Sequence, residues 1–182
     1  MEDDMTVYEF TLVLDSDVEL DAALEDRLFE AGMDDALLGA RDGIVFVDLS
    51  REGGSFLEVA VSAIRQVEEA LGRSAVSRVE PDELVTAADI GVRVGRTRES
   101  IRLLVAGQRG PGGFPVPVRG IASRQRLWRW SEVAQWMWDA LPGSVSATQV
   151  EVARALSTLN SALNLRRHPD SAAKELLVRL AG

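Results

Sequence analysis

Nine arginines stand between positions 86 and 130, opposed within that stretch by Asp89 and Glu99 alone. Arginine pairs bidentately with guanine or with phosphate, so such a run suits the holding of nucleic acid. Its centre reads TAADIGVRVGRTRESIRLLV over residues 86–105. Thr86 and Asp89 have the spacing of a capping box that opens a helix. Ile90 and Val94 fall on the inner side of that helix, and Gly95 stands where the chain must turn sharply. Thr97 can cap a second helix, whose Ile101, Leu104 and Val105 define one apolar arc. Arg98, Glu99 and Arg102 fall outside the arc. A short helix packed on another, with two arginines and an acid projecting from its first turns, has what reading of a major groove requires.

Other chemistries lack their residues. The chain has no cysteine, which excludes disulfides and thiolate metal sites and suits a reducing compartment. His168 is the only histidine and has no second imidazole or thiolate with which to share a metal. Asp15, Asp17, Asp34, Asp35 and Asp42 lack the spacing of a calcium loop. Gly110, Gly112 and Gly113 lack the strand-to-helix context of a phosphate loop. No nucleophile and base can be paired, so the chain is read as non-enzymatic, with no cofactor and no metal. Trp128, Trp130, Trp136 and Trp138 are placed for core packing rather than for stacking on bases.

A net charge of −9 conceals a division. Residues 1–84 carry 22 acidic groups against six arginines, a balance of −16, whereas residues 85–182 carry 14 basic groups against seven acidic ones, a balance of +7. Such asymmetry points to an acidic module joined to a nucleic-acid-binding one. The stretch MEDDMTVYEF is acidic where a signal peptide is basic, and no apolar run approaches membrane-spanning length. A cytoplasmic protein is expected.

In the acidic half, Tyr8, Phe10, Leu12 and Leu14 alternate as in a strand with one buried face. Leu20, Leu24, Leu28 and Ala31 form a helical stripe ended by Gly32. Ala36–Leu38 and Ile44–Leu49 read as strands joined by a tight turn at Asp42-Gly43. A helix over residues 57–71 turns Val61, Ile64 and Val67 inward, and Ala75–Val79 reads as a last strand. The order β-α-β-β-α-β is the split, ferredoxin-like pattern, with the sheet topology left open by the shortness of the second strand. Pro81-Asp82 marks a boundary.

Beyond it, residues 84–94 and 97–107 read as helices, and RGPGGFPVPVRG over 109–120 as a loop. Leu127–Trp130 reads as a short strand, and Ser131 as the cap of a helix carrying Val133, Trp136, Met137 and Leu141. Pro142-Gly143 stops that helix. Two tail helices follow, with stripes at Val152, Leu156, Leu159 and Leu163 and at Leu176, Leu177 and Leu180. Neither helix can bury its stripe alone, so the stripes are expected to pack on the domain, on each other or on a second copy of the chain, the last being favoured.

The Gly112–Val118 approach (GGFPVPV), the basic segment ending at Trp128-Arg129-Trp130 and the following Ser131-Glu132-Val133-Ala134-Gln135-Trp136 helix complete a set with the two capped helices. Residues 84–141 thereby resemble the winged helix-turn-helix of the MerR and excisionase (AlpA-like) families. Gly91 departs from the alanine usual there, a change between two small residues that is expected to leave close packing intact with a less stable helix, and the loop before the wing is long. The resemblance implies a DNA-binding role, with Arg98, Glu99 and Arg102, preceded by the cap Thr97, on the groove-facing side. Arg96, Arg109, Arg119, Arg124 and Arg126 are then phosphate contacts.

The expected fold class is α+β: an N-terminal ferredoxin-like (βαββαβ) domain over 1–80, a winged helix-turn-helix over 82–143, and two α-helices over 146–182. The expected function is a sequence-specific double-stranded-DNA-binding protein, a transcriptional regulator. Its expected partners are duplex DNA, a protein partner of the acidic domain and a second copy as homodimer, with no membrane. The alternatives are an antitoxin-type interaction protein with an autoregulating winged domain, and an excisionase-like architectural factor.

Overall fold

A computed structural model describes residues 5–81, 83–121, 125–168 and 179. Among these the fold is mixed α+β, with a four-stranded and a two-stranded antiparallel sheet and six helices. The chain divides into two compact units, Met1–Glu80 with Thr158–Gly182, and Pro81–Ser157.

In the first unit, β1 (Thr6–Leu14) buries Tyr8, Phe10, Leu12 and Leu14 on one face, as its alternation requires. The Asp21 carboxylate caps α1 (Ala22–Glu30) by accepting the Leu24 N–H at 2.7 Å, and the helix buries Leu24 and Leu28. Strands β2 (Leu37–Arg41) and β3 (Ile44–Gly53) meet at Asp42 and Gly43, with φ of 53° and 78°. Both residues lie in the left-handed region, which a two-residue hairpin turn matched to strand twist demands. Ser55 caps α2 (Phe56–Leu71), and Gly72 ends it with φ 66°. The Phe56 ring packs edge-on to Tyr8 and Phe10, with centroids 5.7 and 5.5 Å away.

Strand β4 (Val76–Glu80) completes a sheet of order β2-β3-β1-β4 in which every neighbouring pair is antiparallel. It follows that β1 and β2 run parallel with β3 between them, and that β3 and β4 run parallel with β1 between them. The short second strand, the element that left the topology open, is present and pairs along its whole length with β3.

The second unit begins with β5 (Leu84–Val85), α3 (Ala87–Arg93) and α4 (Arg98–Val105). After the loop come β6 (Trp128–Arg129) and α5 (Trp130–Ala140), with β5 antiparallel to β6. Val85, Ile90, Ile101, Leu104, Trp128 and Met137 anchor its core. Burial of side chains of this size contributes about 1.5–3 kcal/mol each.

Three local expectations are corrected here. Leu84 and Val85 are strand rather than the start of a helix, because Val85 pairs with Trp128. Ser131 is not a cap: α5 begins at Trp130, whose N–H is taken by the Glu83 carbonyl at 2.8 Å, and no side chain caps it. Trp138 is 46% exposed and so is not a core residue, whereas Trp128 and Trp130 are buried.

Helix α6 (Ala147–Arg167) belongs to the second unit through Ser157 and to the first from Thr158. Its start is a capping box: Ser146 Oγ accepts the Gln149 N–H at 3.1 Å, and Gln149 Oε1 accepts the Ser146 N–H at 2.8 Å. Val150 and Ala153 enter the second unit's core, and Leu156, Leu159 and Leu163 are also buried within the single chain. Val152 is half-buried, so the stripe is covered within the chain, which is the first of its three expected arrangements rather than the favoured docking of a second copy. The second tail stripe, Leu176, Leu177 and Leu180, lies outside the described residues.

In the first unit the last turns of α6 serve the edge of the sheet. Asn160 donates to the Val79 carbonyl at 2.9 Å and accepts the Val79 N–H at 2.7 Å. Arg166 binds both Glu68 carboxylate oxygens, at 2.9 and 2.6 Å, and reaches the Val76 carbonyl at 3.2 Å. Main-chain groups on an edge strand otherwise invite pairing with another chain.

Candidate nucleic-acid interface

Helix α3 starts where the sequence places its box. Thr86 Oγ1 accepts the Asp89 N–H at 3.3 Å, and the Asp89 carboxylate accepts the Thr86 N–H at 2.8 Å and hydroxyl at 2.7 Å. Those bonds from Thr86, the main-chain one foremost, hold the Asp89 carboxyl below the ordinary carboxylate range, with attraction from Arg93 adding to them. Arg93 itself lies over the Trp130 ring, 5.1 Å from its centroid.

Between the helices, Gly95 has φ 64°, and the Arg96 N–H donates to the Gly91 carbonyl at 2.7 Å. A Cβ at Gly91 would lie 2.6 Å from the Arg96 carbonyl oxygen. The close packing expected at Gly91 is present, and it is tighter than an alanine would allow, because the backbone of the turn occupies the space a methyl group would need.

Thr97 caps α4, its Oγ1 accepting the Ser100 N–H at 3.1 Å. Ile101 and Leu104 are buried, and Arg98, Glu99 and Arg102 are exposed on the opposite arc. Glu99 and Arg102 pair at 2.9 Å, each about two-thirds exposed. Arg98 has no hydrogen bond or ion pair among the described residues. The helix therefore presents one open guanidinium and one that shares a carboxylate, both at the surface.

The other expected contacts are distributed differently. Arg96 is half-buried and its guanidinium donates to Ser144 Oγ at 3.0 Å, so it ties the turn to the segment before α6. Arg109, Arg119 and Arg126 are exposed. Arg119 bridges Leu127 in antiparallel fashion, with the Leu127 N–H donating to the Arg119 carbonyl at 3.1 Å. Arg119 and Arg126 thus lie at the two sides of one hairpin base. Arg124 lies outside the described residues.

Two arrangements escaped the sequence reading. The indole N–H of Trp128 donates to the Pro115 carbonyl at 3.0 Å, and that of Trp136 to the Gly112 carbonyl at 3.2 Å. Phe114 sits between them, with ring centroids 6.1 and 4.9 Å away. The Gly/Pro-rich loop is thereby pinned to the core; a buried indole needs such a partner, and the loop carbonyls are the groups at hand. The second is Glu83, whose carboxylate receives Arg129 and, at 3.0 Å, the Ser157 hydroxyl.

No protein-family model, curated protein or solved structure matches the chain. The chemistry of these side chains therefore carries the functional argument. No helix among the described residues is long and apolar enough to cross a membrane.

Proposed function

We propose that Pro81–Ser157 acts as a winged helix-turn-helix that binds double-stranded DNA sequence-specifically, and that the protein is a transcriptional regulator. One observation carries this reading: α4 is a capped helix held against α3 by a glycine-tight turn, with Arg98, Glu99 and Arg102 exposed opposite buried Ile101 and Leu104. Arginine in the major groove reads guanine through O6 and N7, and glutamate accepts from cytosine N4. The exposed Arg119 and Arg126, at the base of a hairpin, suit the sequence-independent role of gripping phosphate.

Residues 1–80 are read as a ferredoxin-like domain, on the element order βαββαβ and the strand order β2-β3-β1-β4. Its acidity keeps it off the phosphate backbone and fits a sensing or partner-binding role. An operator with twofold symmetry calls for a second copy of the chain, which must dock elsewhere than on the buried stripe of α6.

Selection of bound sequences from a random duplex pool, repeated at two salt concentrations, tests the proposal. Enrichment of a defined motif whose affinity falls with salt is expected. A pool that stays random through successive rounds would sink it.

A further inference from the structure

The sheet of the first unit has a second face. Thr11 and Val13 on β1, Phe46 and Asp48 on β3, and Arg78 and Glu80 on β4 point away from the face that buries Leu12 and Leu14, as the strand period requires. They line a groove of about 460 Å³ that Arg41 and Ile44 close at one end. That volume lies within the range of small-molecule sites.

The floor is apolar and is shaped by a glycine. Phe46 stands opposite Gly39 in the ladder, and a Cβ on Gly39 would fall 2.3 Å from the ring's Cζ. The ring therefore leans over β2, and Val13, its partner on the other side, forms a floor only 4% exposed. The main-chain groups of the two central strands, β1 and β3, are engaged in the ladders, so recognition on the floor falls to side chains.

Charge is divided between the ends. Arg41 is exposed and has no hydrogen bond or ion pair among the described residues, Asp42 beside it included. At the far end Asp48 accepts the Thr11 hydroxyl through one oxygen, at 2.5 Å, and its other oxygen has no donor among the described residues. Glu80 stands across Thr11 from Asp48 and holds Arg78 at 2.7 Å, which neutralises the cation nearest the middle. Arg41 pairs with Ile44, four residues from Asp48 along β3, so the ends are about 13 Å apart at the strand rise.

We propose that this groove binds a short apolar peptide, its carboxylate on the Arg41 guanidinium, its ammonium on Asp48 and its side chain on Val13 and Phe46. Three extended residues span about 10 Å, and the reach of the arginine closes the remainder. A planar guanidinium matches a carboxylate through two parallel bonds, whereas a carboxylate accepts an ammonium readily.

The test is calorimetric titration of the full chain with the tripeptide Ala-Leu-Ala, its N-acetylated form and its C-terminal amide. No DNA is present, so the outcome is independent of the DNA-binding reading. Each cap is expected to weaken binding about tenfold, the worth of one charge-assisted contact. In Arg41→Ala the amide is expected to bind as well as the free peptide while acetylation still costs affinity, and Asp48→Asn is expected to show the reverse. Both positions are on the solvent side of the sheet, and the caps alter the ligand alone, so a folding defect cannot mimic the pattern. Absence of heat with any of the three peptides, or caps that cost the same in wild type and variants, overturns the proposal.

Discussion

The α-carbon of Gly91 in α3 faces the carbonyl of Arg96 so closely that a methyl group there would lie 2.6 Å from the oxygen. In an open helix, glycine to alanine stabilises by about 1 kcal/mol. Here the obstructing atom is backbone, held by the Arg96 N–H bond to the Gly91 carbonyl, and cannot swing aside. Gly91→Ala is therefore expected to destabilise by about 1–3 kcal/mol, the usual cost of overpacking. Urea denaturation gives the sign directly, and a stabilised variant would show that the turn relaxes freely.

The capping box confers a pH dependence. The Asp89 carboxyl sits below its ordinary range because the Thr86 N–H and hydroxyl bind its charged form. A folded value below the unfolded one means that the contribution is present above the unfolded value and is lost as pH falls through the folded one. Asp89→Ala is expected to lower the melting temperature at neutral pH, and its deficit against wild type is expected to shrink between about pH 5 and pH 2. Thr86→Ala is expected to cost about 1 kcal/mol. A deficit for Asp89→Ala that is constant with pH would remove the charge from this account.

Reading and gripping arginines are expected to separate in a binding assay. Arg102→Ala should cost about 1–3 kcal/mol on a selected duplex and relax the preference at one base pair. Arg119→Ala should weaken all duplexes alike and reduce the salt slope by about one. Glu99→Gln should change sequence preference more than stability, since the exposed Glu99–Arg102 pair contributes little, about 0.3–0.5 kcal/mol. Identical effects of Arg102→Ala and Arg119→Ala on every sequence would contradict the division of roles.

The second unit alone is expected to hold DNA more tightly than the whole chain at low salt. Residues 81–157 carry ten arginines against seven acids, a balance of +3, where the whole chain carries −9. The fragment must keep the start of α6, because Val150 and Ala153 complete its core. Mobility-shift titrations of fragment and full chain at low and high salt would check this. Equal affinities at low salt would mean that the acidic half exerts no field on the bound duplex.

Asn160 is expected to matter more than a half-exposed amide usually does. It supplies both a donor and an acceptor to Val79, whose main-chain groups face away from β1's side of the ladder. Asn160→Leu should cost about 1–3 kcal/mol, the penalty for stranding such groups, and should increase aggregation of the partly unfolded chain. Asn160→Ser, small enough to admit water, is expected to cost less. A neutral Asn160→Leu would show that solvent already satisfies this edge.

The positions that could be read ahead of the structure are those whose partners lie within a turn or two of chain. Thr86 with Asp89, Thr97 with Ser100, and Asp42-Gly43 between two strands act through neighbours at fixed spacing, and each formed as its residue types demand. Ser131 failed as a cap for the opposite reason: the residue that receives the first N–H of α5 is Glu83, 47 positions away from Trp130 in the chain. The Ser146-to-Gln149 box is equally local, its two partners being three residues apart.

Among the candidate site residues, the exposed arc of Arg98, Glu99 and Arg102 was legible because helical period alone separates it from Ile101 and Leu104. The side-chain bond from Arg96 to Ser144, and the indole bonds that pin the Gly/Pro-rich loop, were not, since they join segments far apart in sequence.

What the amino-acid sequence determined by itself is most of the elements, the caps whose partners lie within one turn, the β2–β3 hairpin and the division of charge, because periodicity, capping chemistry and composition act over a few residues. Tertiary structure alone decided that β1 lies between β3 and β4 and that β5 pairs with β6, that Gly91 has no room for a methyl group, and that the leucine stripe of α6 is covered within one chain. Those outcomes depend on which distant surfaces meet, and burial and steric fit are properties of the pair rather than of either segment.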